Sequence, residues 1–322
     1  MAKNFFLTAA QFQANQADIE SFYDEYVTIY TARYSNELHV RAAIIEPEDP
    51  VGEIVVIPGR GETAHKYAEF LYCMYQAKIR TAVLFARGQG ISDRLLKNPQ
   101  KCHIDKFSYM TLDIALLISE LGFKDYGMLA FSLGGLIALD FICADIAVAK
   151  PKRCALIAPY LWPAMKVNPT VLTIASAILG SLPVIKNAFT PYGREYKRIT
   201  FNENHHSHCK IRYNAYHDYY AAHPELTIGS PTWGFVKAST LKQRELFSLK
   251  GQLPIPMYIQ TAAEDKVVSS AATEKFFSNH QEDFNAPIVR SLAGAYHDVL
   301  NEIDEIRNPA LNRAIEFLLE QK

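Results

Sequence analysis

The residue types best suited to chemistry lie around Ser132. Met128 to Phe131 is an apolar run that ends like a buried strand, and Leu133 to Asp140 reads as the start of a helix. Ser132 stands at the turn between them, with Gly134 and Gly135 directly after it. A sharp strand-to-helix turn lifts a serine hydroxyl out of a sheet, and small neighbours are needed where the backbones crowd. The N–H groups that open the following helix point at the same place and suit an anionic intermediate. The first glycine of the usual G-x-S-x-G spacing is Ala130 here, the next smallest side chain. A serine that merely caps a helix gives the same local pattern, so a base and an acid must be found elsewhere.

A hydroxyl becomes a nucleophile when a histidine takes its proton and a carboxylate orients that histidine. In hydrolases with such a turn the chain order is serine, acid, histidine. Two later stretches fit: Thr261 to Val268 follows a strand pattern and offers Asp265, and Ala293 to Val299 follows the last strand pattern and offers His297. Glu264 remains a rival to Asp265, which is favoured because it stands just ahead of a basic residue and the pair Val267 and Val268. Asp298 is a weaker rival, since a carboxylate next in sequence seldom bonds its neighbour's ring. An oxyanion needs two preorganised donors. These would be the N–H of Leu133 and, from the loop after the strand Glu53 to Ile57, the N–H of Arg60. The Arg60 side chain would either meet an anionic substrate or pair with Glu62 at the surface. His65 and His103 read as surface residues.

These loops need a frame. Val27 to Tyr34 and Leu38 to Glu46 read as a hairpin turning at Ser35 and Asn36, after a polar, irregular or helical lead-in. Lys66 to Arg80 has apolar residues near helical spacing, Thr81 to Phe85 is a buried strand, Arg87 to Arg94 a glycine-rich loop, and Phe107 to Leu121 an amphipathic helix. Cys154 to Ala158, Pro256 to Thr261 and Ile288 to Leu292 are further strands. Helices follow over Ser269 to His280 and Pro309 to Leu319. Strands separated by helical patterns predict a mostly parallel sheet covered on both faces, an α/β fold. The rhythm breaks from Tyr160 to Pro254. The predicted organisation is therefore core (1–159), a mainly helical cap over the ligand-binding ends of the strands (160–254), and core again (255–322).

The bulk properties narrow the function classes. The 322 residues carry a formal net charge of -1 with Lys and Arg spread along the chain, so no nucleic-acid footprint is present. Five scattered cysteines without a C-x-x-C pair suit a reducing compartment, and the apolar run Phe5 to Leu7 is short for a signal peptide. The chain reads as cytoplasmic, with contact at the inner face of the cytoplasmic membrane left open.

Taken together, Pro58-Gly-Arg60, Lys66-Tyr-Ala-Glu69, Arg87-Gly-Gln-Gly90 with Ser92, Ala130-Phe-Ser-Leu-Gly-Gly135 and Gly294-Ala-Tyr-His297 resemble the monoacylglycerol-lipase-like α/β-hydrolases. Within that clan they are most similar to the bacterial lysophospholipases of the L-two type, a likeness supported in the cap by His206-Ser207, Arg212-Tyr213 and Gly229 to Trp233. The resemblance runs from about Val51 to the C-terminus. It implies an α/β-hydrolase fold and a serine hydrolase of carboxylic esters, most plausibly of monoacyl lipids such as lysophospholipids or monoacylglycerols. It also implies catalysis by Ser132, His297 and Asp265 through an acyl-enzyme, with no cofactor. Two departures are visible. The family commonly has an Asp-His pair where this chain has Phe85 and Ala86, positions that read as structural. Ala130 matches the lysophospholipase-like version of the turn, in which the acid is often flanked by glutamate.

The cap carries two further signals. Val167 to Ile185 has no charged residue, and its Pro, Gly, Ser and Thr content argues against a transmembrane span. Val171, Ile174, Ile178 and Leu182 fall near helical spacing, which predicts a lid helix packed on the core, with a membrane-docking face as the second option. In Asn204 to Cys209, His205 and Cys209 stand four apart and could share a helix face as metal ligands, but no second ligand pair accompanies them and the expectation is no metal. The tyrosines from Tyr213 to Tyr220 read as cap core with hydroxyls at its wet edge. Related hydrolases cleave peptides or amides, which would want an acidic patch for a free amine; Glu195, Glu203 and Glu225 are scattered. A non-catalytic binding protein of this fold would be expected to lack the serine or the histidine.

Overall fold

Alternating apolar residues make the strands two-faced, and here both faces are buried. In the computed structural model, which describes residues 4–35, 37–165, 167–249, 253–280 and 285–320, Val55 and Ile57 enter one core cluster and Ile54 and Val56 the other. Helices α1 (Ala9–Ala14) and α2 (Gln16–Tyr26) lead into β1 (Thr28–Arg33), β2 (His39–Ile45) and β3 (Gly52–Ile57). Then come α3 (Ala68–Gln76), β4 (Ile79–Phe85), α4 (Ser108–Glu120), β5 (Gly127–Phe131), α5 (Leu133–Cys143) and β6 (Arg153–Ile157). After them lie α6 (Pro169–Leu179), α7 (Lys210–Ala222) and α8 (Trp233–Phe247). The chain closes with β7 (Met257–Ala262), α9 (Ser270–Ser278), β8 (Ile288–Leu292) and α10 (Asp304–Leu319). The eight strands form one sheet in the order β1-β2-β4-β3-β5-β6-β7-β8. The hairpin of β1 and β2 and its junction with β4 are antiparallel, and every other pair is parallel. Asn36, assigned to the hairpin turn, lies outside the described residues.

Two helix boundaries differ from the sequence reading. The helix expected over Lys66 to Arg80 is a 3-10 turn at Ala64–Tyr67 followed by α3, and it stops at Gln76. Lys78 turns the chain with φ of 56°, and Ile79 already pairs with Gly52. The last helix begins at Asp304, so that Pro309 lies inside it rather than at its start. Asp304 and Glu305 occupy its first turn, where acidic groups favour the helix dipole.

Between β6 and β7 the described residues hold helices, short 3-10 turns and isolated bridges, and no strand. Helix α7 is fastened to the core by one buried guanidinium. Arg212 donates to both carboxylate oxygens of Glu69 in α3 (2.9 and 3.1 Å), to Asp304 of α10 and to the carbonyls of Leu7 and Glu302. Removing one partner of such a buried pair strands the other charge and costs about 3–5 kcal/mol.

Helix α6 overturns the expected packing. It leans on α8 through Thr173, Ser176 and Gly180, with Ser176 Oγ 3.0 Å from Thr240 Oγ1. A side chain at residue 180 would come within 2.6 Å of the Lys237 Cβ. Small residues allow the two backbones to approach, so the apolar stripe is turned outward: Val171, Ile174 and Ile178 are 58%, 53% and 58% exposed. Among the described residues no helix is long and apolar enough to cross a membrane.

Candidate active site

Strand β5 delivers Ser132 at its C-terminal end, and α5 starts one residue later. Ser132 has φ of 51° and ψ of -116°, a conformation that side-chain-bearing residues rarely adopt and that costs on the order of 1–3 kcal/mol. The surroundings impose it. The Ser132 N–H donates to Ile157 of β6 (3.1 Å), and the Ser132 carbonyl accepts from Tyr160 (2.8 Å). The two following glycines are steric requirements: a Cβ on Gly134 would lie 2.1 Å from the Ile57 carbonyl oxygen, and one on Gly135 2.5 Å from Pro159.

Two loops at the same sheet edge meet this serine. His297, from the loop after β8, places Nε2 2.9 Å from Ser132 Oγ and Nδ1 2.7 Å from Asp265 Oδ2, in the loop after β7. With Nδ1–H donating to the carboxylate, Nε2 is left as the acceptor facing the hydroxyl. The other Asp265 oxygen accepts from the N–H groups of Val267 (2.7 Å) and Val268 (2.9 Å), which fixes the carboxylate. The rivals are elsewhere: Glu264 is exposed, and Asp298 turns to Lys66 (2.8 Å).

The two backbone donors expected to face an oxyanion are open. The N–H groups of Leu133 and Arg60 make no hydrogen bond among the described residues, whereas the Gly59 N–H is taken by Glu62 (2.6 Å). Arg60 does not pair with Glu62. Its guanidinium donates to the Gly229 carbonyl (2.6 Å), while Glu62 is buried against Lys66 and the Tyr67 hydroxyl. Burial works against the charge on Lys66, but Asp298 and Glu62 outweigh it and hold the ammonium well above its usual range. Lys66 is the residue that sequence reasoning used only as part of a motif; the spacing of Glu62 and Lys66, four apart, was the one available signal.

A cavity of about 350 Å³ opens over Ser132, walled by Arg60, His297, Tyr196, Tyr216, His217 and Tyr220 among others. The tyrosines of α7 thus do two things: they pack on one another and they line the space above the serine. The histidines at 205, 206 and 208 diverge. The segment is not helical, Cys209 is the cap of α7, and His205 and Cys209 share no helix face. His206 turns toward His297 with ring centres 6.1 Å apart, and His208 bonds Glu302 (2.8 Å). Burial and the adjacent His297 push His206 down to about 4. Among the described residues no group of three or more His, Cys, Asp and Glu could hold a metal ion.

Other assigned positions also moved. His103 is buried, 2.8 Å from the Thr232 hydroxyl, and His65 is stacked on Tyr219 with ring centres 3.6 Å apart; neither is a free surface group. Phe85 fits because the residue above its ring is Gly90, where a Cβ would come within 2.1 Å. The Arg87 guanidinium is clamped by Asp113, and the Ser92 hydroxyl donates to the Phe85 carbonyl (2.6 Å), so the glycine-rich loop is a structural brace.

A serine on a strained strand-to-helix turn, hydrogen-bonded to a histidine from the last strand loop of this mostly parallel sheet, defines the α/β-hydrolase fold. Residues 48–304 match the family described as serine aminopeptidase, S33, and the chain belongs to that family. It is 27% identical to lysophospholipase L2 of Escherichia coli strain K12 over an alignment of 279 residues that covers 82% of this chain and 79% of the relative. It is 26% identical to the probable lysophospholipase L2 of Haemophilus influenzae over 313 residues, covering 94% and 95% of the two chains. Among solved structures, a soluble variant of the Saccharomyces cerevisiae monoglyceride lipase in complex with a substrate analog superposes with a TM-score of 0.69 at 13% identity, covering 89% of this chain and 92% of that one. The Paleococcus ferrophilus monoacylglycerol lipase gives 0.62 at 15% identity, covering 91% and 98%. At such identities the structural likeness establishes the fold.

Proposed function

We propose that this chain is a serine hydrolase that cleaves carboxylic esters of monoacyl lipids, lysophospholipids or monoacylglycerols, through an acyl-enzyme. The observation that carries the reading is the continuous hydrogen-bonded path from Ser132 Oγ through His297 to Asp265, at 2.9 and 2.7 Å. Ser132 Oγ attacks the ester carbonyl carbon while His297 Nε2 takes its proton. The carbonyl oxygen becomes an oxyanion held by the N–H groups of Leu133 and Arg60, and Asp265 stabilises the imidazolium. His297 then gives its proton to the leaving alcohol oxygen. In the second half it takes a proton from water, whose oxygen attacks the acyl carbon, and returns that proton to Ser132 Oγ as the ester bond to the serine breaks and the fatty acid leaves. Each step moves protons between groups of this chain and its substrates, so the mechanism calls for no cofactor.

In this reading residues 160–254 are a cap over Ser132, and the outward apolar face of α6 supports peripheral contact with a lipid surface, at the inner face of the cytoplasmic membrane. The names of the relatives favour lipid esters. The peptidase reading, suggested by the family description, finds no free acidic patch among the described residues: of the carboxylates lining the cavity, Glu62 and Asp298 are occupied by Lys66 and Glu195 accepts from Asn98. Fluorophosphonate labelling tests the assignment. We expect the label on Ser132, and Ser132→Ala to lose about 10⁴-fold or more of ester turnover. Retained turnover, or preference for aminoacyl amides over lysophospholipids and monoacylglycerols, would overturn it.

A further inference from the structure

The oxyanion loop and the histidine loop come from opposite ends of the chain, and one buried ammonium joins them. Lys66 Nζ donates to Glu62 Oε1 and to Asp298 Oδ2 (2.8 Å), and it faces the Tyr216 ring at 4.5 Å from the centroid. All three charged side chains are less than a tenth exposed. Each carboxylate reaches on into the site. Glu62 Oε2 accepts the Gly59 N–H (2.6 Å), which fixes the peptide plane just before the Arg60 donor, and also the Tyr67 hydroxyl (2.7 Å). Asp298 is the residue after His297; its side chain accepts from Asn301 (3.1 Å) and its N–H donates to the His206 carbonyl (2.7 Å). Although Lys66 touches the cavity wall, its charge is already committed to two carboxylates and a ring. It is therefore poorly placed to bind a substrate anion.

We propose that Lys66 is a positioning residue that holds the Arg60 oxyanion donor and the His297 base in mutual register through Glu62 and Asp298. The inference rests on the serine-hydrolase reading above. Hydrogen-bond donors act on a transition state only at 2.7–3.1 Å, and a displacement of about 1 Å in such a site costs roughly 10²-fold. Cutting the network should therefore lower kcat while leaving ground-state binding nearly intact.

The test uses the full chain with a nitrophenyl ester. Lys66→Met cuts both arms. Asp298→Asn keeps the shape and cuts only the histidine arm, and Glu62→Gln cuts only the oxyanion arm. Rates are normalised to fluorophosphonate-titrated sites. We expect kcat to fall about 10–100-fold in each variant with KM changed less than about threefold, the labelling rate to fall in parallel, and Lys66→Arg to recover part of the loss. Because both arms act through one ammonium, Lys66→Met combined with Asp298→Asn should lose no more than Lys66→Met alone. If Lys66→Met does not fold, Asp298→Asn and Glu62→Gln decide: folded protein with wild-type kcat per titrated site overturns the proposal, even where its melting temperature falls. Ser132→Ala serves as the separate control. Turnover surviving in that variant refutes the hydrolase reading itself; an inactive Ser132→Ala beside a normal Asp298→Asn refutes only the role of Lys66.

Discussion

Replacing Gly134 by alanine isolates the geometry of the nucleophile turn. The added methyl would lie 2.1 Å from the Ile57 carbonyl oxygen and 2.8 Å from that of Pro58, both backbone atoms of β3 and its following loop. Neither can rotate away, so the start of α5 must retreat by roughly 1 Å to reach ordinary van der Waals contact. That retreat carries the Leu133 N–H with it and widens the gap to Arg60, across which the oxyanion would sit. Losing one such donor costs about 10²–10³ in kcat, or roughly 3–4 kcal/mol. Stability falls as well, because overpacking against backbone costs about 1–3 kcal/mol or more, of which about 1 kcal/mol is offset by the helix propensity gained on replacing glycine. The expected result is a protein with a lowered melting temperature whose folded fraction turns over at least 100-fold more slowly, with KM little changed. Circular dichroism melts and nitrophenyl-ester kinetics, normalised to titrated serine, measure both quantities. A folded Gly134→Ala enzyme with wild-type kcat would refute the claim that α5 must approach β3 this closely for catalysis.

Asp265→Asn should lower kcat by about 10⁴-fold, because an amide holds the imidazole in the wrong tautomer, whereas Glu264→Gln should leave it within twofold; the reverse order would reassign the acid. His206 supplies a pH dependence. Its folded-state value of about 4 lies below the unfolded value of about 6.5, so the unfolded chain binds more protons between them. Its contribution is complete above about pH 6.5, is lost as pH falls toward 4, and levels off below. His206→Gln should flatten the fall in urea midpoint over that window; an unchanged slope would sink the argument.

Much of this was legible because of where the strands end. Val55 to Ile57 and Met128 to Phe131 are apolar on both faces and bounded by turn residues, which marks central strands of a covered sheet, and the loops that follow strands are where such folds gather reactive side chains. Ser132, Asp265 and His297 were found on those loops by residue type and order. What escaped depended on partners remote in sequence or on direction. The spacing of Val171, Ile174 and Ile178 announces a stripe but carries no sign; only the fit of Thr173, Ser176 and Gly180 on α8 turns it outward. Arg60 finds its acceptor at Gly229, and Lys66 finds Asp298 at the far end of the chain, pairings with no local signature. The helix expected to run to Arg80 ended early because Lys78 adopts positive φ, which nothing in the surrounding pattern announces.

The fastening of α7 reaches both walls of the cavity above Ser132. On one side, Arg212 anchors the tyrosine-bearing helix to Glu69, Asp304 and the Leu7 carbonyl, burying charge that would be stranded if the helix swung away. On the other, residues 194–199 are tied to that same helix: the Tyr196 hydroxyl meets His217, the Ile199 carbonyl accepts from Tyr213 (2.8 Å) and Arg198 pairs with Asp218, while backbone groups of Arg194 and Tyr196 reach Ser230 and Gln100. Both walls of the doorway over the serine therefore hang on the one guanidinium that pins α7.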